Sequence, residues 1–196
     1  TPPQDMNTHH LAAAAHLLAE ECGAEYNQIA GVDLITEHYP LIYAVGKGSD
    51  SEPFLLDMRW GKNTHPKVTL VGKGVCFDTG GLDLKSAEGM RFMKKDMAGA
   101  AHVLGLAQMI IQAKLPIQLR VLIPAVENAI SGKAYHPSDV LTSRKGLTIE
   151  VTNTDAEGRL ILADALTEAA QEEPALIIDI ATLTAAARVA VGNEIG

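Results

Sequence analysis

The chain has 196 residues, of which 47% are hydrophobic and 20% charged, and its formal net charge is −8. That apolar content is enough to offset the entropy of ordering, which excludes a disordered, collagen-like or low-complexity chain. The acidic balance argues against a nucleic-acid partner held mainly through phosphates, and no 18-residue apolar run predicts a membrane span.

The opening Thr1-Pro2-Pro3-Gln4-Asp5 reads as a linker, because two prolines fix φ and remove backbone donors. Residues 1–7 are therefore expected to be the remnant of an interdomain linker, and 8–196 part of one catalytic domain. Leu11, Ala14, Ala15, Leu17 and Leu18 recur at helical spacing and predict a helix over 8–21, with Gly23 as its C-terminal cap. Two short apolar pieces follow, 26–30 and 41–45, and then a strand over 54–58. Cys22 and Cys76 form no disulfide framework, so reduced thiols and a cytoplasmic setting are expected.

Residues 67–72 are rich in β-formers and end in glycine, which predicts a strand. A long helix is predicted over 96–113, stopped by Pro116. Residues 119–126 form a nearly continuous apolar run, as in a buried strand. A strand over 147–151, a helix over 159–170, a buried strand over 175–180 and a final helix over 183–191 complete the reading. This alternation predicts an α/β fold, with a mixed, largely parallel central sheet flanked by helices on both faces. The chain stops at Gly196 soon after a helix, so a C-terminally incomplete domain is expected.

Four acidic residues stand out by their neighbours. Asp78 follows strand-like residues and precedes Thr79-Gly80-Gly81, Asp96 opens the long helix, and Asp155 and Glu157 lie between a strand and a helix. All four fall at or just past strand ends, where open α/β sheets bind ligands. If they converge, a like-charged pair at 4 Å costs about 4 kcal/mol at an effective dielectric of 20, so several pairs need cations beside them. Hard oxygen donors suit two divalent ions, Zn²⁺, Mn²⁺ or Mg²⁺. Lys73 sits between glycines and can ligate only as a neutral amine, which a nearby dication favours. Lys85, in a loop beyond Asp78, is placed to stabilise a developing oxyanion. Arg159 stands at a helix start, where a cation opposes the helix dipole, and this points to anion binding.

Four segments then carry a family resemblance. They are Lys73-Gly74-Val75-Cys76-Phe77-Asp78-Thr79-Gly80-Gly81, Met93-Lys94-Lys95-Asp96-Met97, Asn153-Thr154-Asp155-Ala156-Glu157-Gly158-Arg159-Leu160 and Ala181-Thr182-Leu183-Thr184. In this order and spacing the chain resembles the leucine aminopeptidase family of dinuclear metallopeptidases. The resemblance implies release of N-terminal, leucine-like residues from peptides with a free N-terminus. It implies that Asp78 and Glu157 bridge two metals, that Asp155 completes one site, and that Lys73 and Asp96 complete a looser one that also takes the substrate's α-amine. Lys85 would polarise the scissile carbonyl, and Arg159 would hold a bicarbonate acting as general base. Leu183 would offer its backbone carbonyl to the substrate, and Met93 and Thr182 would border the first side-chain pocket. A homo-hexamer is implied for the full-length protein.

Family members are longer, with an additional N-terminal domain and further C-terminal sequence. Where they usually carry glycine after the Ala-Thr-Leu-Thr run, this chain has Ala185, whose methyl is expected to narrow the pocket. The alternative is a non-catalytic scaffold or a DNA-binding regulatory protein of the same family. The retained metal ligands favour the enzyme, because a scaffold has no need of so many polar groups in costly positions. No histidine has the spacing of a zinc motif, and Gly46-Lys47-Gly48-Ser49 lacks the spacing of a phosphate loop.

Overall fold

The computed structural model describes residues 1–192. The first helix, α1 (Thr8–Cys22), begins where Asn7 accepts from the His10 N–H and His10 accepts in return from the Asn7 N–H; it ends at Gly23 in the left-handed region. Thr8, Leu11, Ala12, Ala15 and Ala19 make its buried stripe. Then come β1 (Glu25–Ala30), α2 (Asp33–Thr36), α3 (Pro40–Gly46), β2 (Phe54–Trp60), β3 (Lys67–Gly72) and β4 (Gly74–Asp78). The second half holds α4 (Ala87–Met90), α5 (Ala98–Gln112), β5 (Gln118–Asn128), β6 (Val140–Thr142), β7 (Thr148–Glu150), α6 (Glu157–Gln171), β8 (Leu176–Ile180) and α7 (Ala186–Val191).

Six strands form one mixed sheet in the order β1-β2-β5-β3-β8, with β4 also paired to β5. β1 and β2 run antiparallel, and β2 is antiparallel to β5. The pairings of β3 with β5 and β8, and of β4 with β5, are parallel. The long β5 thus serves two consecutive strands, β3 along its first half and β4 along its last residues. The break between those two strands falls at Lys73.

Side-chain alternation along β5 sorts the core into two layers. Leu119, Val121, Ile123 and Ala125 pack with Leu11, Ala15, Val103 and Ala107 of α1 and α5. Leu122 and Val126 pack with Leu41, Ile42, Leu160 and Ile161 of α3 and α6. Helices therefore cover both faces, as the alternation of elements predicts. On the second face Asp164 of α6 is fully buried and accepts from the backbone N–H groups of Leu41 and Arg144, tying α6 to the start of α3 and to the β6–β7 hairpin. Arg120, inside the apolar run of β5, is buried against Asp57 of β2 and Glu168 of α6.

Several expectations shift. Asp96 lies in a 3-10 turn, Met93–Met97, and the long helix starts only at Ala98. The strand expected over 147–151 is β7, which pairs with β6 in a separate two-stranded sheet. Residues 175–180 do not form a buried strand: β8 pairs only with β3 among the described residues, and Leu176 and Ile178 are 50% and 37% exposed. The apolar sequence reads the same at an edge and in the middle of a sheet. The last helix spans Ala186–Val191, so Leu183 lies in the loop before it. Both cysteines are free, and burial pushes the Cys76 thiol up to about 12, as expected of an inert buried sulfur.

Candidate metal centre

The sheet brings the candidate residues to the carboxyl ends of its parallel strands. Lys73 occupies the break between β3 and β4, where its N–H donates to the Ile180 carbonyl of β8 and its carbonyl accepts from Ala100 of α5. Its side chain is 2% exposed. Asp78 ends β4, and Gly80 and Gly81, with φ of 89° and 67°, turn the chain back beneath it. Asp155 sits in the 3-10 turn before α6, and Glu157 is the first residue of that helix, where a carboxylate suits the dipole.

Two networks meet here. In one, Lys73 Nζ lies 2.8 Å from Asp96 Oδ2 and 2.8 Å from Glu157 Oε1, and it donates to the Thr182 carbonyl at 3.0 Å. Thr182 Oγ1 donates to Asp96 Oδ1 at 2.8 Å. In the other, Lys85 Nζ lies 3.0 Å from Asp78 Oδ2 and 2.5 Å from Asp155 Oδ1. Oxygens of Asp78, Asp155 and Glu157 lie within 4.8 Å of one another and join the two networks.

Four carboxylates face two ammonium groups, so the cluster carries an excess of negative charge. Burial, with Asp78 close by, pushes Glu157 up to about 7 even against the opposing charge of Lys73. Burial likewise raises Asp155, although Lys85 pulls the other way. Burial opposes the charge on Lys73, but Glu157 and Asp96 outweigh it and hold the ammonium above its ordinary range. Lys85 is raised for the same reason by Asp155 and Asp78.

The donor set fits a metal. Glu157 Oε2 is buried and takes no hydrogen bond among the described residues. Asp96 Oδ2 and Asp155 Oδ1 face ammonium groups without hydrogen-bond geometry. A buried carboxylate oxygen without a donor, beside the converging oxygens of Asp78, Asp155 and Glu157, is what a divalent cation satisfies.

Other candidates make none of these contacts. Leu183 approaches the centre, since a Cβ added to Gly158 would lie 3.1 Å from Leu183 Cδ1. Arg159 is exposed in the first turn of α6, and none of the ion pairs among the described residues involves it. Met93 is half-buried at the start of the 3-10 turn, and Ala185 is exposed in the loop before α7. Two surface cavities of about 560 and 600 Å³ lie elsewhere. The second includes Gly46, Lys47 and Ser49, but Ser49 donates to Glu127 at 2.7 Å, and a carboxylate there is a poor neighbour for phosphate.

Sequence reasoning missed the residues that support the ligands. Asn128, at the end of β5, donates to Asp78 Oδ1 at 2.9 Å and to the Thr154 carbonyl at 3.1 Å. Tyr135 donates to the same carbonyl at 2.6 Å. Thr154 Oγ1 donates to the Gly80 carbonyl, and Asp83 Oδ2 accepts from the Thr154 N–H. A polar residue closing an apolar strand was the available signal for Asn128.

An α/β sheet with a carboxylate–lysine cluster at the carboxyl ends of its parallel strands defines a candidate metal centre. The catalytic-domain pattern of the cytosol aminopeptidase family matches residues 1–196, and the chain belongs to that family. It is 55% identical over 155 residues to a probable cytosol aminopeptidase of Stenotrophomonas maltophilia, covering 78% of this chain and 31% of that protein. Its structure resembles the crystal structure of a Coxiella burnetii cytosol aminopeptidase (TM-score 0.94, 58% identity, 98% of this chain and 42% of the other). It also resembles a leucyl aminopeptidase of Trypanosoma brucei in complex with bestatin (TM-score 0.93, 39% identity, 98% and 38%). The chain thus spans less than half the length of each of these relatives.

Proposed function

We propose that the protein carrying this chain is a metal-dependent aminopeptidase that releases leucine-like N-terminal residues from peptides. The observation that carries the reading is the convergence of Asp78, Asp155 and Glu157, with Lys73 and Asp96 against Glu157 and Lys85 against Asp78. Asp78, Asp96, Asp155 and Glu157 would hold two divalent ions, Zn²⁺, Mn²⁺ or Mg²⁺, joined by Lys73 once a bound dication had displaced its proton. Bound there, the ions supply Lewis acidity toward a carbonyl and toward water.

The chain's own groups do the rest. Lys85, half-buried between two carboxylates, meets negative charge developing on the scissile carbonyl oxygen. Arg159, exposed and outside the cluster's ion pairs, is available to an anion, and bicarbonate as general base fits that position. The Lys73–Asp96 side takes the substrate's free N-terminus, a demand that makes the activity exopeptidic. Met93, Thr182, Leu183 and Ala185 border the first side chain.

Residues 1–7 as linker remnant, 8–196 as part of the catalytic domain, a homo-hexamer and a cytoplasmic location belong to the same reading. The last is supported by the names of the relatives; no helix among the described residues is long and apolar enough to cross a membrane. The net charge of −8 weighs against the DNA-binding alternative.

The test is elemental analysis of the full-length protein, with hydrolysis of a leucyl amide before and after addition of Mn²⁺ or Zn²⁺. Two metals per chain with bestatin-sensitive turnover are expected. Two bound metals without hydrolysis of any amide bearing a free N-terminus would overturn the peptidase reading.

A further inference from the structure

Asn128 is 1% exposed and lies opposite Asp78 in the β4–β5 ladder. Its Nδ2 has two hydrogens and two acceptors, Asp78 Oδ1 and the Thr154 carbonyl. The same Asp78 oxygen accepts from the Gly80 N–H at 2.9 Å, so Oδ1 is held by two neutral donors while Oδ2 faces Lys85. The amide's own oxygen is buried and takes no hydrogen bond among the described residues. An orphaned buried carbonyl costs stability, and an apolar side chain of similar shape would avoid that cost. For packing alone asparagine is a poor choice at this position. What it supplies is a pair of donors spanning the end of β4 and the turn before α6.

We infer that Asn128 is a positioning residue of the metal centre: its carboxamide fixes Asp78 against the turn that carries Asp155 and Glu157. The inference rests on the reading of those carboxylates as metal ligands. Thr154 is the anchor on the turn side. Its carbonyl accepts from Asn128 and Tyr135, its N–H donates to Asp83, and its hydroxyl donates to the Gly80 carbonyl and accepts from the Asp83 N–H. Ligands contributed by β4 and by α6 are thereby held in one frame before a cation arrives, and partners of ligands commonly set metal affinity in this way.

The experiment is titration of the metal-free, full-length protein with Co²⁺, read by calorimetry and by the visible absorption of the bound ion. Asn128→Leu removes both donors and keeps the shape. It should melt close to the parent protein when metal-free, bind Co²⁺ about 10–100-fold more weakly, and show altered absorption bands. Tyr135→Phe removes only the second donor to the Thr154 carbonyl and should stay within about threefold of the parent, well short of a ligand partner's effect. Should Asn128→Leu not fold, Asn128→Ser is read in its place with the same expectation. Parent-like affinity and spectrum in the Asn128 variant would overturn the inference, as would an equal loss in Tyr135→Phe. A parent protein that binds no Co²⁺ would instead remove the metal-centre reading on which it stands.

Discussion

Gly158 and Lys73 are packed so closely that a Cβ on Gly158 would lie 2.7 Å from Lys73 Cε and 2.9 Å from its Nζ. The first turn of α6 therefore forms the wall against which the lysine reaches Asp96 and Glu157. Alanine favours a helix over glycine by about 1 kcal/mol, which works in favour of Gly158→Ala on propensity alone. The added methyl must displace the ammonium from both carboxylates. We expect Gly158→Ala to melt below the parent, because breaking a buried ion pair costs about 3–5 kcal/mol against the propensity gain, and to lose Mn²⁺ affinity and turnover by tenfold or more, on the order of what a ligand's supporting group contributes. Parental Mn²⁺ affinity in this variant would show that Lys73 has no part in holding the ion.

The elements were legible where one signal dominated. Helical spacing and the Gly23 cap marked α1 to within a residue, and the apolar run marked β5. The same run hid Arg120, because a strand reading weighs the majority of residues and not the exception; a single arginine in such a run was itself the sign of a buried ion network. Asp78 was legible from its place at a strand end, whereas Asp96 lies in the 3-10 turn before α5, and Asp155 and Glu157 stand where α6 begins. Their support was not legible. Asn128 and Tyr135 reach the centre only through the register of β4 on β5 and a loop far along the chain, and no local pattern encodes that. Arg159 was marked by a cation at a helix start, whereas Ala185 was picked out only by family motif, since an exposed loop alanine carries no local signal.

Ala185 is exposed in the loop before α7, and the proposed reading sets it beside the first side-chain pocket. A methyl bordering the first side-chain pocket penalises the larger substrates. One methylene in such a pocket is worth about 1–3 kcal/mol, or 10–200-fold in kcat/KM ratio at most. Ala185→Gly in the full-length protein is expected to raise kcat/KM for leucyl and methionyl substrates relative to alanyl ones. An unchanged ranking would place the methyl outside the pocket.

Asp164 offers a test of stability away from the metal. It is fully buried, with the N–H groups of Leu41 and Arg144 each 2.8 Å from its carboxylate. Asp164→Ala leaves both donors without an acceptor, at about 1–3 kcal/mol each. Asp164→Asn keeps one acceptor and should cost less. The expected order of melting temperatures is parent, Asn, Ala, with Co²⁺ affinity per folded molecule unchanged. Loss of metal binding by the folded variants would show that α6 transmits the change to Glu157, seven residues earlier in the same helix.

Glu172 contributes stability that depends on acid pH. Burial alone would raise its carboxyl, but hydrogen bonds from Arg59 and Lys67 and the charge of Arg120 outweigh burial and hold it at about 2. Glu168 is lowered in the same way, with Arg120 and Arg144 overcoming its burial. A carboxylate whose folded value lies below its unfolded value binds more protons when unfolded. Its contribution is complete above about 4.5 and is lost as pH falls toward about 2. Groups raised by burial, such as Glu157, Asp155 and Asp164, have the opposite slope, so only the difference between parent and variant isolates this site. We expect Glu172→Gln to melt below the parent at pH 6, because Arg59, Lys67 and Arg120 then share a neutral partner. The gap should narrow steadily from pH 5 to pH 2 as the parent's own Glu172 takes up its proton. A gap that stays constant across that range would mean that Glu172 contributes through packing and not through its charge.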